Sequence, residues 1–563
     1  RYLRAGWQTD YGTILPISGI GAALVRRATA VPVSAPAMPP KFHSARAYVA
    51  FDESIRNLEA WVSARAPRFG EFDARDVARR LLQRIVEIGL NDFVLACARR
   101  LDAGEDPLPR PRSAYSCGGL VLDGAGSRIQ VRAALFLRSI GLFLAHWTHA
   151  LLIHVAALFR RRALARGPAT LVHGVGAAEL NHGGSDGEFL AFCRQGPVGP
   201  LRSARRLIVQ SVKPVASSNP VACTYHRVPL FALVLENPLG IVEFLQFLLN
   251  HIRALLRFAI AVVRLPVICI VGRDIAYHAT AMRLNRQGMI ENIIITNSNY
   301  SAQPLWMRQY PGRNYATHMV WYSQNSIPFV YAFDPVRTPL PNHRHFAFDT
   351  TWVWTEGYAD YIRSLGIGAT IHVVGPILWY LPKPPLREPN TKEIRVMVFD
   401  VTPVRPEVAK RIGLVYNYYS TENVVRFIDD IVTAARNVEP KLGRKVRVFL
   451  KHKRGHDPAR DPRYIAAIER LVGTEAALEL EPPEANIYAL VSGSDLVIAV
   501  PYSSPVYVAK CSGVNAMYYD PTVELVAVHE AAADVAFAAG PLELEEKMLK
   551  LLGDSERQSR KPF

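Results

Sequence analysis

Cysteine is scarce in this 563-residue chain: Cys97, Cys117, Cys193, Cys223, Cys269 and Cys511 are far apart, and none forms a CxxC pair. A zinc site or a disulfide framework is therefore not expected, and a reducing cytoplasm is the natural setting. There is no GxSxG elbow, Walker A loop, HExxH pair or metal-ligating aspartate cluster, which sets aside the hydrolases, nucleotide triphosphatases and zinc enzymes that depend on them. GVGAAE at 174–179 is not a dinucleotide fingerprint, because no strand with GxGxxG runs through it into a helix. The chain also lacks an internal repeat and a long low-complexity stretch. Residues 14–38 are small, apolar and proline-rich, but Arg26 and Arg27 interrupt them and argue against a signal peptide there.

Negative charge is in deficit, with 49 acidic against 66 basic residues and a formal net charge of +17. Such an excess favours anionic partners, namely phosphorylated substrates or an anionic membrane surface. No Arg/Lys-rich tail or recognised nucleic-acid motif accompanies it, so no nucleic-acid partner is expected. Half of the residues are hydrophobic and a fifth charged, the profile of a folded chain with room for roughly three or four domains.

Residues 1–165 carry Pro-rich punctuation at Pro32–Pro40 and Pro107–Pro111 and read as a mostly helical accessory, membrane-proximal region. From about Arg206, apolar runs alternate with helical patterns: RLIVQSV, a helix over 239–264, PVICIVG, a helix over 273–286, NIIITNS, THMVWYS, TWVWTE and TIHVVGP. A second series follows the prolines of ILWYLPKPPLREPNTKE, with strands IRVMVFD, VRVFLK, ALELE, DLVIAV and NAMYYD. Such alternation predicts parallel sheets covered by helices. The expected fold class is therefore α/β, two Rossmann-like doubly wound domains behind a helical region. The boundaries are 166–376 for an acceptor domain, 377–392 for a linker and 393–563 for a donor domain, with a ligand cleft between the strands' carboxyl ends.

Two helices bear on membrane contact. Ser139–Phe159 is free of Asp, Glu, Lys and Arg and long enough to span a bilayer, yet Arg132, Ser139, His146, His149, His154 and Arg161 share one half of its wheel. A core helix, a helix lying on a membrane surface and a span all fit this pattern. In the helix over 239–264, Glu243, Gln246, Asn250, Arg253, Arg257 and Arg264 form a narrow polar stripe. That pattern predicts either a helix packed on a sheet with the stripe in water, or a docking face for anionic lipid.

Ser494–Pro521, SDLVIAVPYSSPVYVAKCSGVNAMYYDP, places Ser503 and Ser504 where a strand ends and a helix begins. Free helical N–H groups and two hydroxyls suit a phosphate, while a plain helix cap is the structural alternative. After VRVFLK comes KHKRGHDP, which puts Lys451, His452, Lys453, Arg454 and His456 at another strand end of the same sheet. Cations facing hydroxyls would stabilise a phosphate leaving group as its charge grows, and this removes the need for a metal. The glycine-rich loop 174–189 offers Glu179, His182 and Asp186 as bases for an acceptor hydroxyl, and a surface loop is the alternative. Asn297, Ser298, Gln303, Trp306 and Gln324 are candidates for binding sugar hydroxyls and faces, or else internal residues that hold loops.

At these residues the chain resembles GT-B glycosyltransferases of bacterial surface polysaccharide synthesis. The pattern is closest to those using cytidine-activated donors, the Kdo transferases and sialyltransferases, and more distantly to the glycerophosphotransferases of teichoic acid synthesis. NSNYSAQPLWM and VVGPILWY also resemble a branch of polysaccharide biosynthesis proteins. In the cytidine families a His-containing motif and a Ser-Ser or Ser-Thr motif hold the nucleotide, and Lys451-His452 and Ser503-Ser504 occupy those places. Several of these families have His-Pro where this chain has His452-Lys453, which leaves the phosphate role open among Lys451, His452 and Arg454. The resemblance implies a metal-independent transfer of sugar from a nucleotide-sugar co-substrate, CMP-linked, to a glycan or glycolipid acceptor. No other cofactor is implied, and the setting would be the inner face of the cytoplasmic membrane. A polyol-phosphate transferase, a sugar-nucleotide epimerase and a non-catalytic assembly subunit remain as alternatives.

Overall fold

The computed structural model describes residues 44–559 apart from 107–113, 123–127, 161–165, 174–205, 211–221, 297–302, 322–326, 334–340, 377–385, 387–391, 412–417, 454–459, 474–477 and 484. It begins with two helices, α1 (Ser44–Ser63) and α2 (Ala74–Asp102), and a small antiparallel sheet of β1 (Tyr115–Cys117), β2 (Leu120–Leu122) and β3 (Ile129–Val131). Helix α3 (Ala133–Leu158) follows. This region shares its core with the next domain. Arg80 on α2 is buried and ion-paired to buried Asp274 at 2.7 Å, and Gln83 accepts from Arg308 Nη2 at 2.8 Å. Burial pulls the Arg308 guanidinium down to about 9.

The first large sheet is wholly parallel and contains β4 (Ala169–His173), β5 (Arg206–Gln210), β6 (Ala222–His226), β7 (Ile290–Thr296), β8 (Ala316–Val320), β10 (Thr350–Val353) and β11 (Thr370–Val373). The order across it is β6-β5-β4-β7-β8-β10-β11, so the winding reverses between β4 and β7. β4, fully buried, was not foreseen, because its five residues run directly into the glycine-rich segment.

Helix α4 (Ile241–Arg264) begins near its expected start. The Glu243 carboxylate accepts from the Gly240 amide at 2.8 Å and so completes its first turn. PVICIVG is not a strand: Pro266–Val271 is a 3-10 helix with Pro266 in its first turn, leading into a short helix Gly272–Ala276. A continuous apolar run with no alternation fits a buried helix as well as a buried strand, and here helices α3 and α4 enclose it. The helix expected over 273–286 is divided at Tyr277, with its second part at His278–Arg286.

α3 and α4 run antiparallel and touch along their length. Phe143 packs on Phe258, Trp147 stacks on His251 and His154 stacks on Phe247, with centroids 4.0, 4.4 and 3.5 Å apart. The histidines expected on the polar half of α3 therefore point inward. His146 Nδ1 lies 2.8 Å from the Tyr277 hydroxyl, and His154 donates through Nδ1 to the Ala150 carbonyl at 2.8 Å.

The second large sheet, also parallel, has β12 (Glu393–Phe399), β13 (Lys445–Lys451), β14 (Leu478–Glu481), β15 (Leu496–Ala499), β16 (Asn515–Asp520) and β18 (Ala536–Ala539). Its order is β14-β13-β12-β15-β16-β18, again a reversal, here between β12 and β15. The expected α/β class, two doubly wound sheets of GT-B type behind a helical region, is what the chain forms. Helix α5 (Thr421–Leu442) starts where Ser420 accepts from the Asn423 amide and stops at Gly443, whose φ of 63° is left-handed. The expected linker 377–392, with all of its prolines, lies outside the described residues except for Leu386 and Lys392.

The two sheets are joined at a seam. β9 (Val330–Tyr331) pairs antiparallel with β17 (Leu525–Val526), and the Ala332 amide donates to the Glu524 carbonyl at 2.7 Å. Tyr507 donates to the Trp354 carbonyl at 3.4 Å. A Cβ at Gly357 would lie 2.5 Å from the Glu530 carbonyl oxygen, so glycine is required by that close approach.

Candidate functional site

Ligands of doubly wound sheets sit at the strands' carboxyl ends, where the order reverses. In the second sheet that point lies between β12 and β15, and the register aligns Lys451, Phe399 and Ala499 in one row. The next positions, His452, Asp400 and Val500, therefore stand side by side at the mouth. With strands about 4.8 Å apart, β13 and β15 are separated by roughly 10 Å, a span that suits a diphosphate or a phosphate with its sugar.

Asp400 is the centre of this mouth. Its buried carboxylate lies 3.1 Å from His452 Nδ1 and accepts from the Lys453 amide at 2.9 Å. The Tyr464 hydroxyl donates to the same carboxylate and lies 2.8 Å from His452 Nδ1. An ionised carboxylate only accepts, so Nδ1 of His452 carries the proton and Nε2 is the acceptor or, on protonation, a second donor. Burial, followed by the Asp400 charge, raises the Tyr464 phenol far above its ordinary value, so it remains a donor. Sequence reasoning missed Asp400 and Tyr464. The only signal for Asp400 was an aspartate closing the strand IRVMVFD, and Tyr464 gave none.

On the other wall, Val500 leads into Tyr502, whose φ of 61° is left-handed and unusual for an aromatic residue. Its ring is buried, and its hydroxyl accepts from the Val528 amide at 2.8 Å and donates to the Val526 carbonyl at 3.3 Å. Packing of this kind holds a turn that would cost on the order of 1–3 kcal/mol if isolated. The turn delivers Ser503 to the N-cap of the helix Ser504–Cys511, with Pro505 in the first turn. Ser503 makes no side-chain cap bond there, so its hydroxyl is not used to cap the helix. Ser504 is buried at the first helical position.

Of the other expected phosphate ligands, Lys451 is buried at the end of β13 and Lys453 is exposed one residue past His452. Arg454 and His456 lie outside the described residues. In sequence, the segment bearing Glu179, His182 and Asp186 follows β4 and the segment bearing Asn297 and Ser298 follows β7. Those five residues, and Gln324, are also outside the description, but the two strands are the pair at which the order reverses.

His173, which closes β4, is buried, donates through Nδ1 to Gln210 Oε1 at 3.1 Å across to β5, and is pushed down to about 4 by burial. The oxygen of an amide accepts, so Nδ1 of His173 donates.

Gln303 and Trp306 correct the expectation that they meet a sugar. Gln303 is buried and bonded at both ends of its amide to the backbone of Ala347, at 2.6 and 2.9 Å. Trp306 is buried in the core, where its carbonyl accepts from Tyr315. Gln303 holds a loop, because a buried amide must satisfy its polar atoms internally, and Trp306 packs in the core.

The model of the family described as "Polysaccharide biosynthesis PFTS motif protein" matches residues 251–548, more than half of the chain. The chain belongs to this family. No curated protein matches this PFTS-motif chain in sequence.

Among solved structures it is similar to UDP-GlcNAc 2-epimerase from Neisseria meningitidis bound to UDP-GlcNAc, at 11% identity and TM-score 0.34, covering 69% of this chain and 91% of that one. It is also similar to a UDP-forming trehalose-phosphate synthase from Burkholderia xenovorans, at 12% identity and TM-score 0.35, covering 70% and 92%. A third is Anabaena HepE in complex with UDP and glucose, at 10% identity and TM-score 0.32, covering 69% and 91%.

Proposed function

We propose that this member of the PFTS-motif family transfers a sugar from a nucleotide-activated donor to a surface polysaccharide or lipid-linked glycan. The observation that carries this is the Ser503 hydroxyl, which makes no helix-cap bond and follows the strained Tyr502 turn after β15, at the same end of the sheet as the Asp400-oriented His452. The donor phosphates would lie between them. Ser503 and the first free N–H groups of its helix donate from one wall, and His452 Nε2 with Lys451, Lys453 or Arg454 donates from the other. These donors stabilise the nucleotide phosphate as the glycosidic bond breaks and negative charge collects on it. That arrangement needs no metal.

The acceptor hydroxyl would enter from the first sheet, where Glu179, His182 or Asp186 removes its proton. A CMP-linked donor requires one phosphate to bridge the two walls, and a UDP-linked donor offers two. Asn297, Ser298 and Gln324 are proposed to meet acceptor or donor sugar hydroxyls. A thermal-shift titration with CMP, CDP and UDP tests the reading: a nucleotide at a hundred times its Kd stabilises the fold by about 2.7 kcal/mol. Absence of any shift, with unchanged phenotype in Ser504→Ala combined with His452→Ala, would overturn it.

A further inference from the structure

Both long apolar helices turn apolar side chains outward. On α4 the expected polar stripe reaches water at Gln246, Arg253, Arg257 and Arg264, and an apolar stripe beside it is exposed as well. Ile241, Val242, Leu245, Leu249, Ile252, Leu256, Ile260 and Val263 are exposed, from 40% for Ile252 to 83% for Val263, while Phe247, His251 and Phe258 are buried. At 100° per residue those eight exposed side chains occupy little more than a quarter of the wheel. On α3, Leu137, Leu144, Leu152 and the following Phe159 are exposed, and its histidines 146 and 154 are the buried groups.

On each helix the exposed stripe lies about a third of a turn from the stripe that touches the other helix. Because the helices are antiparallel, the two stripes open to the same side and form one continuous apolar face. A single exposed leucine is ordinary, whereas twelve exposed apolar side chains in stripes on two neighbouring helices mark a contact surface.

Along one edge of that face the polar stripe of α4 lines a cavity of about 330 Å³. Arg253, Arg257 and Arg286 line it, with Asn250, His278 and Glu71. Glu71 is already committed to His278 at 3.2 Å, and that hydrogen bond, ahead of the opposing effect of burial, draws its carboxyl down to about 2. Arg253 and Arg257 pair with no carboxylate among the described residues. A strongly apolar surface with an arginine-lined cavity at its rim matches a bilayer: acyl chains for the face, a headgroup phosphate for the cavity. The formal charge of +17 adds long-range attraction to an anionic leaflet.

We propose that the α3–α4 face lies in the surface of an anionic lipid bilayer, with the phosphate of one lipid headgroup seated among Arg253, Arg257 and Arg286. The helices lie on the membrane rather than cross it, because their opposite faces are packed against the first domain. This does not rest on the transferase reading, and the donor site is untouched by the variants below.

The test is flotation of the purified full chain with vesicles of phosphatidylcholine alone and of phosphatidylcholine mixed with phosphatidylglycerol. The wild type should float with the mixed vesicles at least about tenfold better than with the neutral ones, and salt should reduce the difference. Leu249→Glu with Leu256→Glu should remain at the bottom with both vesicles. Leu144→Glu with Leu152→Glu, on the other helix, should do the same and gives an independent reading if the first pair fails to fold. Arg253→Glu with Arg257→Glu should lose about fivefold or more per arginine on the anionic vesicles only.

A wild type that stays in solution with both vesicles overturns the proposal. So does a wild-type dimer that the leucine variants turn into monomers without any vesicle binding, which would assign the face to a second copy. A thermal shift with inorganic phosphate, in the absence of flotation, would overturn it in favour of a soluble phosphate ligand.

Discussion

Asp400 and His452 come from adjacent strand ends and meet at 3.1 Å, so one carboxylate decides which nitrogen of the imidazole faces the mouth of the second sheet. Asparagine at 400 has one acceptor oxygen for donors that now occupy both carboxylate oxygens, His452 and Tyr464 on one and the Lys453 amide on the other. Asp400→Asn should therefore lower nucleotide affinity at least about tenfold and also lower Tm, since it leaves a buried donor unmatched at a cost of about 1–3 kcal/mol. His452→Ala should weaken binding with a smaller loss of stability. Calorimetric titration with the nucleotide that stabilises the wild type reads the first effect, and unfolding curves the second. An Asp400→Asn protein that binds normally would remove the orienting role.

Ser503 separates a ligand contact from a helix cap. Because its hydroxyl makes no cap bond, Ser503→Ala should unfold within about 0.5 kcal/mol of the wild type, whereas a lost cap costs about 1 kcal/mol. A hydrogen bond to a charged phosphate is worth about 1.5–3 kcal/mol, so nucleotide affinity should fall roughly ten- to a hundredfold. The reverse pattern, lost stability with unchanged affinity, would return Ser503 to the role of a cap.

Gln303→Ala should show that reverse pattern. It removes two bonds to the backbone of Ala347 at a buried site and should cost about 2 kcal/mol or more in denaturant unfolding, with donor affinity unchanged.

Acid should destabilise the chain well before its carboxylates titrate. Burial holds His154, His343 and His345 down to about 3 and His251 and His318 down to about 4, below the ordinary 6.5. Between those values the unfolded chain binds protons at these positions and the folded chain does not, so stability falls as pH drops below 6.5. Each such histidine adds up to about 1.4 kcal/mol per pH unit within its window. Melting temperatures measured from pH 8 to 4 should be level above about 7 and fall steeply below 6.5. His154→Phe, which keeps a ring against Phe247, should make the fall shallower, and an unchanged slope would count against a neutral buried His154.

The sheets were legible because their strands are short apolar runs closed by turn residues. IRVMVFD was expected at 394–400 and forms at 393–399, and the helix expected at 239–264 forms at 241–264. PVICIVG misled because full burial on all sides erases the periodicity that tells strand from helix. For the site, Ser503 and His452 were visible as residue types at strand ends. Tyr464 was invisible, since only tertiary packing brings it to Asp400 from a helix 64 residues further along the chain. Gln303 and Trp306 looked like sugar ligands because an amide beside an indole reads alike in a core and in a cleft. The polar stripe of α4 was seen and four of its six residues meet water, but the exposed apolar stripe beside it was not foreseen, since a helical wheel gives the angle between faces and not which of them is covered.

The short pairing of β9 with β17 limits how the two sheets can move. Two residues on each strand, reinforced by the Ala332–Glu524 bond and by the contact of Gly357 with Glu530, act as a pivot on one side of the seam. A ribbon of this length resists sliding along its strands but yields to twisting. Closure over a donor would then be a rotation about Val330–Tyr331, and the sheet ends farthest from that point would travel most.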